Sequence, residues 1–185
     1  TPVGIKISKL AAETLKKVHL ELGGNDATII CKDAELEKAA DAIILGRLAR
    51  GNGQICCAVK RVFVAAGVLE HLAEILTRKT KKLKMGDQLD ETTDVGPLIN
   101  EQAACQVEEV INDAVRLGAK ICIGGQRDRA FVEPTVLTDV SPEAKLFREE
   151  TFGPVVPLVP FEKVDDAVKM ANDSPYGLQA AIFTN

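Results

Sequence analysis

The chain has 185 residues, of which 46% are apolar, and its 27 acidic and 23 basic residues give a net charge of −4. A chain of this length and composition can form one domain with a sizeable core. Its net negative charge provides no general attraction to nucleic acid or to an anionic membrane, and no apolar segment approaches the ~20 residues needed to span a bilayer. We therefore expect neither a nucleic-acid nor a membrane partner.

Apolar residues at helical and at alternating spacing predict the elements in chain order. Helices are expected at residues 5–17, 36–48, 68–76, 104–115 and 163–171. Strands are expected at residues 18–22, 27–31, 61–64, 120–123, 131–137, 155–159 and 179–183. Strands that alternate with helices of ten or more residues predict an α/β fold, in which an open, mainly parallel sheet carries helices on both faces.

The connections between these elements add local expectations. Asp33 is predicted to cap the second helix, because its carboxylate can accept from the first backbone N–H groups. Residues 85–100 form a loop that is long enough for us to expect a role for it. No internal repeat or low-complexity tract is present, so a single domain is expected over residues 1–185.

Two adjacent cysteines, Cys56 and Cys57, follow a polar, glycine-rich approach at residues 51–54. The thiolate is the reactive form of cysteine, and backbone N–H groups at a helix N-terminus favour it. The glycines precede a short helical pattern that would offer such an N-terminus to Cys56. The alternative interpretation is that both cysteines are small buried side chains, as most free cysteines are.

The remaining cysteines and the histidines indicate no other site. The five cysteines are Cys31, Cys56, Cys57, Cys105 and Cys122. Their odd number and the lack of a CxxC spacing argue against a disulfide framework or a zinc site. His19 and His71 lie far apart and beside no cysteine, so no metal site is expected. Free thiols suit a reducing compartment, and we expect a cytoplasmic protein.

Two further stretches place carboxylates beside glycines. Residues 20–25 (Leu-Glu-Leu-Gly-Gly-Asn) put Glu21 immediately before a turn, and residues 149–155 (Glu-Glu-Thr-Phe-Gly-Pro-Val) put Glu150 and Phe152 ahead of a Gly-Pro break. Without further information, Glu150 would be interpreted as a surface carboxylate.

Together these stretches resemble the aldehyde dehydrogenase superfamily. They match its glutamate signature (LELGG), its cysteine signature (GQxC, followed by Ala58 and Arg61) and its EExFGPV segment, in the family's order, and Glu21 and Cys56 are 35 residues apart. The similarity covers residues 1–185, which are identified as a catalytic-domain fragment whose cofactor-binding and oligomerisation segments are missing. The resemblance implies a Rossmann-like, three-layer fold.

The resemblance also implies roles for individual residues. Cys56 would be the nucleophile, because it stands two residues after the glutamine of GQxC, and Cys57 would be a packing residue. Glu21 would be the general base. Glu150 would hold the nicotinamide ribose hydroxyls of NAD or NADP, and Phe152 would pack near the nicotinamide ring. Gly4 matches the end of the family's GSTxxG turn beside the cofactor.

The implied function is the oxidation of a small aldehyde to a carboxylic acid with NAD(P), through a thiohemiacetal and a thioester on Cys56. The parent enzyme would be a homo-oligomer, and residues 1–185 alone would be inactive. A CoA-acylating aldehyde dehydrogenase is an alternative, although Glu21 argues against it because such an enzyme needs no base for water. A noncatalytic structural or binding member of the fold is another. The ELGGN and Ala-Val-Lys-Arg segments look similar to those of succinate-semialdehyde dehydrogenases.

Overall fold

A six-stranded sheet forms the centre of the molecule. The computed structural model describes residues 1–185, with the side chain of Arg50 excepted. The strands are β1 (Ala27–Ile30), β2 (Arg61–Ala65), β3 (Lys120–Ile123), β6 (Thr135–Thr138), β7 (Val155–Phe161) and β8 (Ala180–Phe183), and a separate hairpin pairs β4 (Arg127–Asp128) with β5 (Phe131–Val132). The sheet order is β3-β6-β7-β2-β1-β8. All neighbours are parallel except the edge strand β3, which is antiparallel to β6.

Helices cover both faces of this sheet. They are α2 (Leu36–Ile43), α3 (Leu69–Thr80), α4 (Glu101–Arg116), α5 (Lys145–Arg148) and α6 (Val164–Asn172). A further helix, α1 (Pro2–Ala12), belongs to neither core cluster, and Gly4 is its one buried residue. Apolar residues of α2 and α3 pack in one core cluster, and those of α4, α5 and α6 pack in the other. The mainly parallel, three-layer α/β fold predicted from the sequence is therefore confirmed.

The two core clusters follow from the alternation of side chains along each strand. In β2, Val62 and Val64 join the cluster under α2 and α3, whereas Phe63 and Ala65 join the opposite one. Every residue of β2 is buried. Strands that are apolar on both faces are typical of a parallel sheet between two helical layers.

The predicted strand at residues 18–22 is wrong, because these residues form neither helix nor strand. β1 already has β2 on one side and β8 on the other, so no edge beside it is open to another strand. The predicted cap of the second helix is also wrong. The N-cap of α2 is Glu35, while the Asp33 carboxylate accepts from the Thr184 hydroxyl and the backbone N–H of Asn185.

Two other predicted elements have a different form. The second helix ends as an α-helix at Ile43 and continues as a π-helical turn, Ile44–Ala49, followed by a 3-10 turn, Arg50–Gly53. The extended run at residues 131–137 is split into β5 and β6 at Pro134, which has no N–H to donate to a ladder. The π-helical turn matters for the site, because it directs Arg47 into the interior.

Candidate active site

The predicted site segments meet at the amino ends of neighbouring parallel strands. Residues 24–26 lead into β1, residues 56–60 lead into β2 and residues 150–154 lead into β7. These strands are adjacent in the order β7-β2-β1, so their amino ends share one edge of the sheet. Ligand sites of open α/β sheets usually lie at the carboxyl ends. This candidate site occupies the opposite edge.

Cys56 and Cys57 lie in a turn, and the helix N-terminus predicted for Cys56 is absent among the described residues. Cys56 is partly buried and Cys57 is exposed, so the predicted packing role of Cys57 is wrong. The backbone before the turn is left-handed at Gly51 (φ 63°) and Gly53 (φ 69°). A Cβ on Gly53 would lie 2.9 Å from the carbonyl oxygen of Arg47 and would overlap that of Gly153. Only glycine fits this close approach.

Buried polar side chains hold the approach to Cys56. Arg47 donates from Nε to the carbonyl of Val155 (2.7 Å) and from Nη1 to that of Gly53 (3.4 Å). Burial lowers the pKa of Arg47 to about 9, and the nearby Glu150 carboxylate opposes that shift. The Asn52 amide donates to two carbonyls of the loop at residues 85–100, those of Gly96 (2.7 Å) and Pro97 (3.1 Å). That long loop therefore supports the cysteine segment.

Lys60 lies behind the cysteine turn and is almost completely buried. Its ammonium donates to the carbonyls of Ile55 (3.0 Å) and Cys56. It also lies 3.3 Å from Oε1 of Glu150 and 5.2 Å from the centroid of the Phe152 ring. Burial lowers the pKa of Lys60, and the Arg47 cation lowers it further, while Glu150 raises it. This one cation links the cysteine turn to the segment that contains Glu150.

Glu150 is joined in turn to the glycine segment that follows Glu21. Its Oε1 accepts from the backbone N–H of Gly24 at 2.8 Å. A Cβ on Gly23 would overlap the Glu150 carboxylate, so the absence of a side chain there makes room for the carboxylate. The structure thus brings together the segments that contain Glu21, Cys56 and Glu150.

The other predicted site residues are less closely joined. The Glu21 side chain is 89% exposed and lies 3.6 Å from His19, and no hydrogen bond between described side chains joins it to Cys56. Phe152 is 41% exposed. Gly4 is buried in α1, where a Cβ would lie 2.8 Å from Cδ2 of Leu22, beside Glu21. The roles assigned to these residues stay predictions.

The sequence reasoning missed several buried charges at this edge. Arg61 donates to the backbone carbonyls of Asn25 (2.9 Å), Met170 (3.1 Å) and Ala171 (2.9 Å), which fixes the start of β2. Asp26 accepts from the N–H of Gln179, but burial raises its pKa. The sequence did contain a signal for this cluster. Lys60 and Arg61 are adjacent cations directly before the apolar residues of β2.

Other kinds of site are not indicated. The described residues contain no group of three or more His, Cys, Asp or Glu side chains that could hold a metal ion. No helix formed by these residues is both long and apolar enough to cross a bilayer. All five cysteines are free thiols.

Comparison with known proteins gives the class to which this fold and site belong. The model of the aldehyde dehydrogenase family matches residues 1–185. The chain therefore belongs to the aldehyde dehydrogenase family, and the resemblance found in its motifs is confirmed.

Individual relatives are similar over nearly the whole chain. It is 46% identical to a 3-sulfolactaldehyde dehydrogenase of Priestia aryabhattai over 171 residues. The matched region covers 92% of this chain and 36% of that protein. It is 46% identical over 187 residues to the mitochondrial succinate-semialdehyde dehydrogenase of Oryza sativa subsp. japonica, covering 100% of this chain and 35% of that protein. An NADP-dependent enzyme of E. coli, known from its crystal structure, superposes with a TM-score of 0.96 at 40% identity, over 100% of this chain and 39% of that one. The chain thus spans just over a third of the length of these relatives.

Proposed function

We propose that residues 1–185 are the catalytic domain of a larger NAD(P)-dependent aldehyde dehydrogenase, which oxidises an aldehyde to a carboxylic acid through a thioester on Cys56. The observation that carries this proposal is the contact of Lys60 with both the cysteine turn and Glu150, which in turn accepts from Gly24. These contacts gather the three motif segments at one edge of the sheet. The family membership supports the same reaction.

The residues near Glu150 fit the nicotinamide end of a dinucleotide. Glu150, Thr151 and Phe152 border a cleft of about 330 Å³. The Thr151 hydroxyl is buried without a hydrogen-bond partner among the described atoms, and the Phe152 ring is partly exposed. An exposed aromatic face suits a flat ring, and an anchored carboxylate can accept from sugar hydroxyls. We therefore assign the nicotinamide ribose to Glu150 and the ring to Phe152, for either NAD or NADP.

The first chemical step in this proposal forms a bond to Cys56. The thiolate attacks the aldehyde carbon, and the carbonyl electron pair moves to oxygen, where a backbone N–H such as that of Cys56 can stabilise the charge. A bound nicotinamide cofactor supplies the hydride acceptor. With that acceptor bound, loss of the C–H bond's electron pair as hydride would re-form the C=O bond and leave the acyl group on Cys56 as a thioester.

The second step releases the acid. Glu21 takes a proton from a water molecule, and the water oxygen attacks the thioester carbon. The C–S bond breaks, so that the carboxylic acid leaves and the Cys56 thiolate is regenerated. The position of Glu21 in the LELGG motif supports this role, since the resemblance assigns the general base to that glutamate.

The substrate that we propose is a short aldehyde with an acidic group at its far end. Succinate semialdehyde carries a carboxylate there, and 3-sulfolactaldehyde, the other substrate named for the relatives above, carries a sulfonate. We also propose that the protein is cytoplasmic and forms a homo-oligomer. The five free thiols support a reducing compartment.

The experiment that tests this function uses the full-length protein that contains the chain. We expect aldehyde-dependent reduction of NAD or NADP, with succinate semialdehyde oxidised more efficiently than butanal. Cys56→Ser should abolish this activity, and Cys57→Ser, which changes the adjacent exposed thiol, should leave most of it.

Brief iodoacetamide treatment followed by mass spectrometry should label Cys56 in preference to Cys105 or Cys122. Full activity of Cys56→Ser would refute the proposal, and a CoA thioester as product would replace it with the acylating alternative.

A further inference from the structure

The contacts of Lys60 extend beyond the groups that react in the proposed mechanism. Its side chain is 1% exposed. The ammonium contacts the carbonyls of Ile55 and Cys56, one carboxylate oxygen of Glu150 and the face of the Phe152 ring. One buried cation therefore touches both side chains that we assign to the cofactor, together with the backbone of the nucleophile.

Stability does not account for this arrangement. Removing an ammonium from water is costly, and a buried ion pair often contributes little net stability. The lowered pKa of Lys60 reflects that cost. A buried charge pair can instead fix the geometry of its partners.

We propose that Lys60 is a positioning residue for the cofactor site, which holds the Glu150 carboxylate against the N–H of Gly24; this inference rests on the proposed function. Oε1 of Glu150 receives one donor from each side, the Gly24 N–H at 2.8 Å and the Lys60 ammonium at 3.3 Å. Donors from two different segments restrict the rotation of the carboxylate. Without Lys60, a single backbone N–H would hold it. Cofactor affinity therefore depends on a residue that acts through Glu150.

The first test is Lys60→Met in the full-length enzyme, which removes the charge and retains most of the chain length. We expect the KM for NAD or NADP to rise at least about tenfold, the scale of a lost charge-assisted hydrogen bond. The KM for the aldehyde should change less than the KM for the cofactor, because Lys60 contacts the cysteine turn through the backbone carbonyls of Ile55 and Cys56 and not through the Cys56 thiol. Lys32→Met, at an exposed lysine, serves as the control and should change neither constant. An unchanged cofactor KM in folded Lys60→Met overturns the proposal.

A double-mutant cycle separates positioning from a general structural role. Glu150→Gln removes the charge that Lys60 is proposed to hold. If Lys60 acts through Glu150, adding Lys60→Met to Glu150→Gln should have little further effect on the cofactor KM. Fully additive effects would overturn the inference. Where Lys60→Met does not fold, Lys60→Gln replaces it, since its amide can still donate to the carbonyls but carries no charge.

Hydrogen exchange provides a readout that needs no activity. The amide of Gly24 donates to Glu150, and its exchange should accelerate at least about tenfold in Lys60→Met, in proportion to the opening of that hydrogen bond. The amide of Ile29, within β1, should be unaffected. If the wild-type protein neither binds NAD(P) nor oxidises aldehydes, the proposed function has failed and the cofactor role of Lys60 fails with it. Faster Gly24 exchange would then show only that Lys60 holds the Glu150 carboxylate. If the wild type is active and Gly24 exchange is unchanged, the positioning role is refuted and the function stands.

Discussion

Replacement of Gly53 by alanine should displace the backbone of residues 51–54, which lead to Cys56. A left-handed conformation costs a residue with a side chain roughly 1–2 kcal/mol, and Gly53 has φ 69°. The new methyl group would lie 2.9 Å from the carbonyl oxygen of Arg47 and would overlap that of Gly153. Overpacking of this kind costs typically about 1–3 kcal/mol. The reduced entropy of the unfolded chain returns about 0.4–1 kcal/mol, so the net destabilisation should be about 1–5 kcal/mol.

Because the overlap involves the backbone of residues 47 and 153, relief requires these segments to separate. Gly53→Ala should therefore lower the urea midpoint, and it should also slow aldehyde oxidation and the iodoacetamide labelling of Cys56 in the full-length enzyme. Gly67→Ala is the matched control, since a Cβ at that position would have no atom within 4 Å apart from its chain neighbours, and its φ is not in the left-handed range. Its stability should stay within about 0.5 kcal/mol of the parent or rise slightly. Identical behaviour of the two variants would refute the close approach as the reason for Gly53.

Three further outcomes are expected. Glu21→Gln should preserve a burst of reduced cofactor in rapid mixing and slow steady turnover by about 10²–10⁴-fold; loss of the burst in folded protein would assign Glu21 to an earlier step. Asp26→Asn should stabilise the fold at pH 7. Burial raises the pKa of Asp26 above its usual 3.8. Between pH 3.8 and the raised native pKa, the native state binds more protons than the unfolded state, so native stability falls as the pH rises through this range. The gain in the free energy of unfolding should therefore vanish below pH 3.8, where the carboxyl is protonated in both states. In contrast, Asp33→Asn should lower stability at pH 7, because hydrogen bonds from Asn185 and Thr184 hold the pKa of Asp33 below its usual value; equal effects of both variants would contradict this sign. Residues 1–185 alone should fold, yet show no aldehyde-dependent absorbance change, and micromolar binding of NAD or NADP in calorimetric titration would contradict that expectation.

The layers of the fold could be predicted from the sequence because three central strands, β1, β2 and β7, are apolar and each is followed by an amphipathic helix. The strand expected at residues 27–31 is β1, and those expected at 61–64 and 155–159 are β2 and β7, each within a few residues. Residues 18–22 alternate apolar and polar side chains as a strand would, but β1 has no free edge with which they could pair. Edge availability depends on how the whole sheet is ordered, and local periodicity does not report it.

The candidate site was predictable only in part for a similar reason. The motifs indicated Cys56, Glu21 and Glu150 as candidates, since each lies in a glycine-containing motif and the motifs occur in a recognisable order. They did not identify Lys60, whose partner Glu150 lies far along the chain and becomes adjacent only because β2 pairs with β7. Nor did they show that Cys57 is exposed, because a turn and a short helix share the same glycine-rich approach.

The position of the candidate site at the amino ends of the strands separates it from the opposite edge of the sheet. Only short connectors follow β1, β2 and β7 there, at residues 31–35, 66–68 and 162–163. A residue introduced at Gly67 to carry a fluorophore or surface linker would lie at the opposite edge of the sheet from Cys56, and its Cβ would have no atom within 4 Å apart from its chain neighbours. Protein immobilised in this way would hold Cys56 at the edge that is remote from the attachment point.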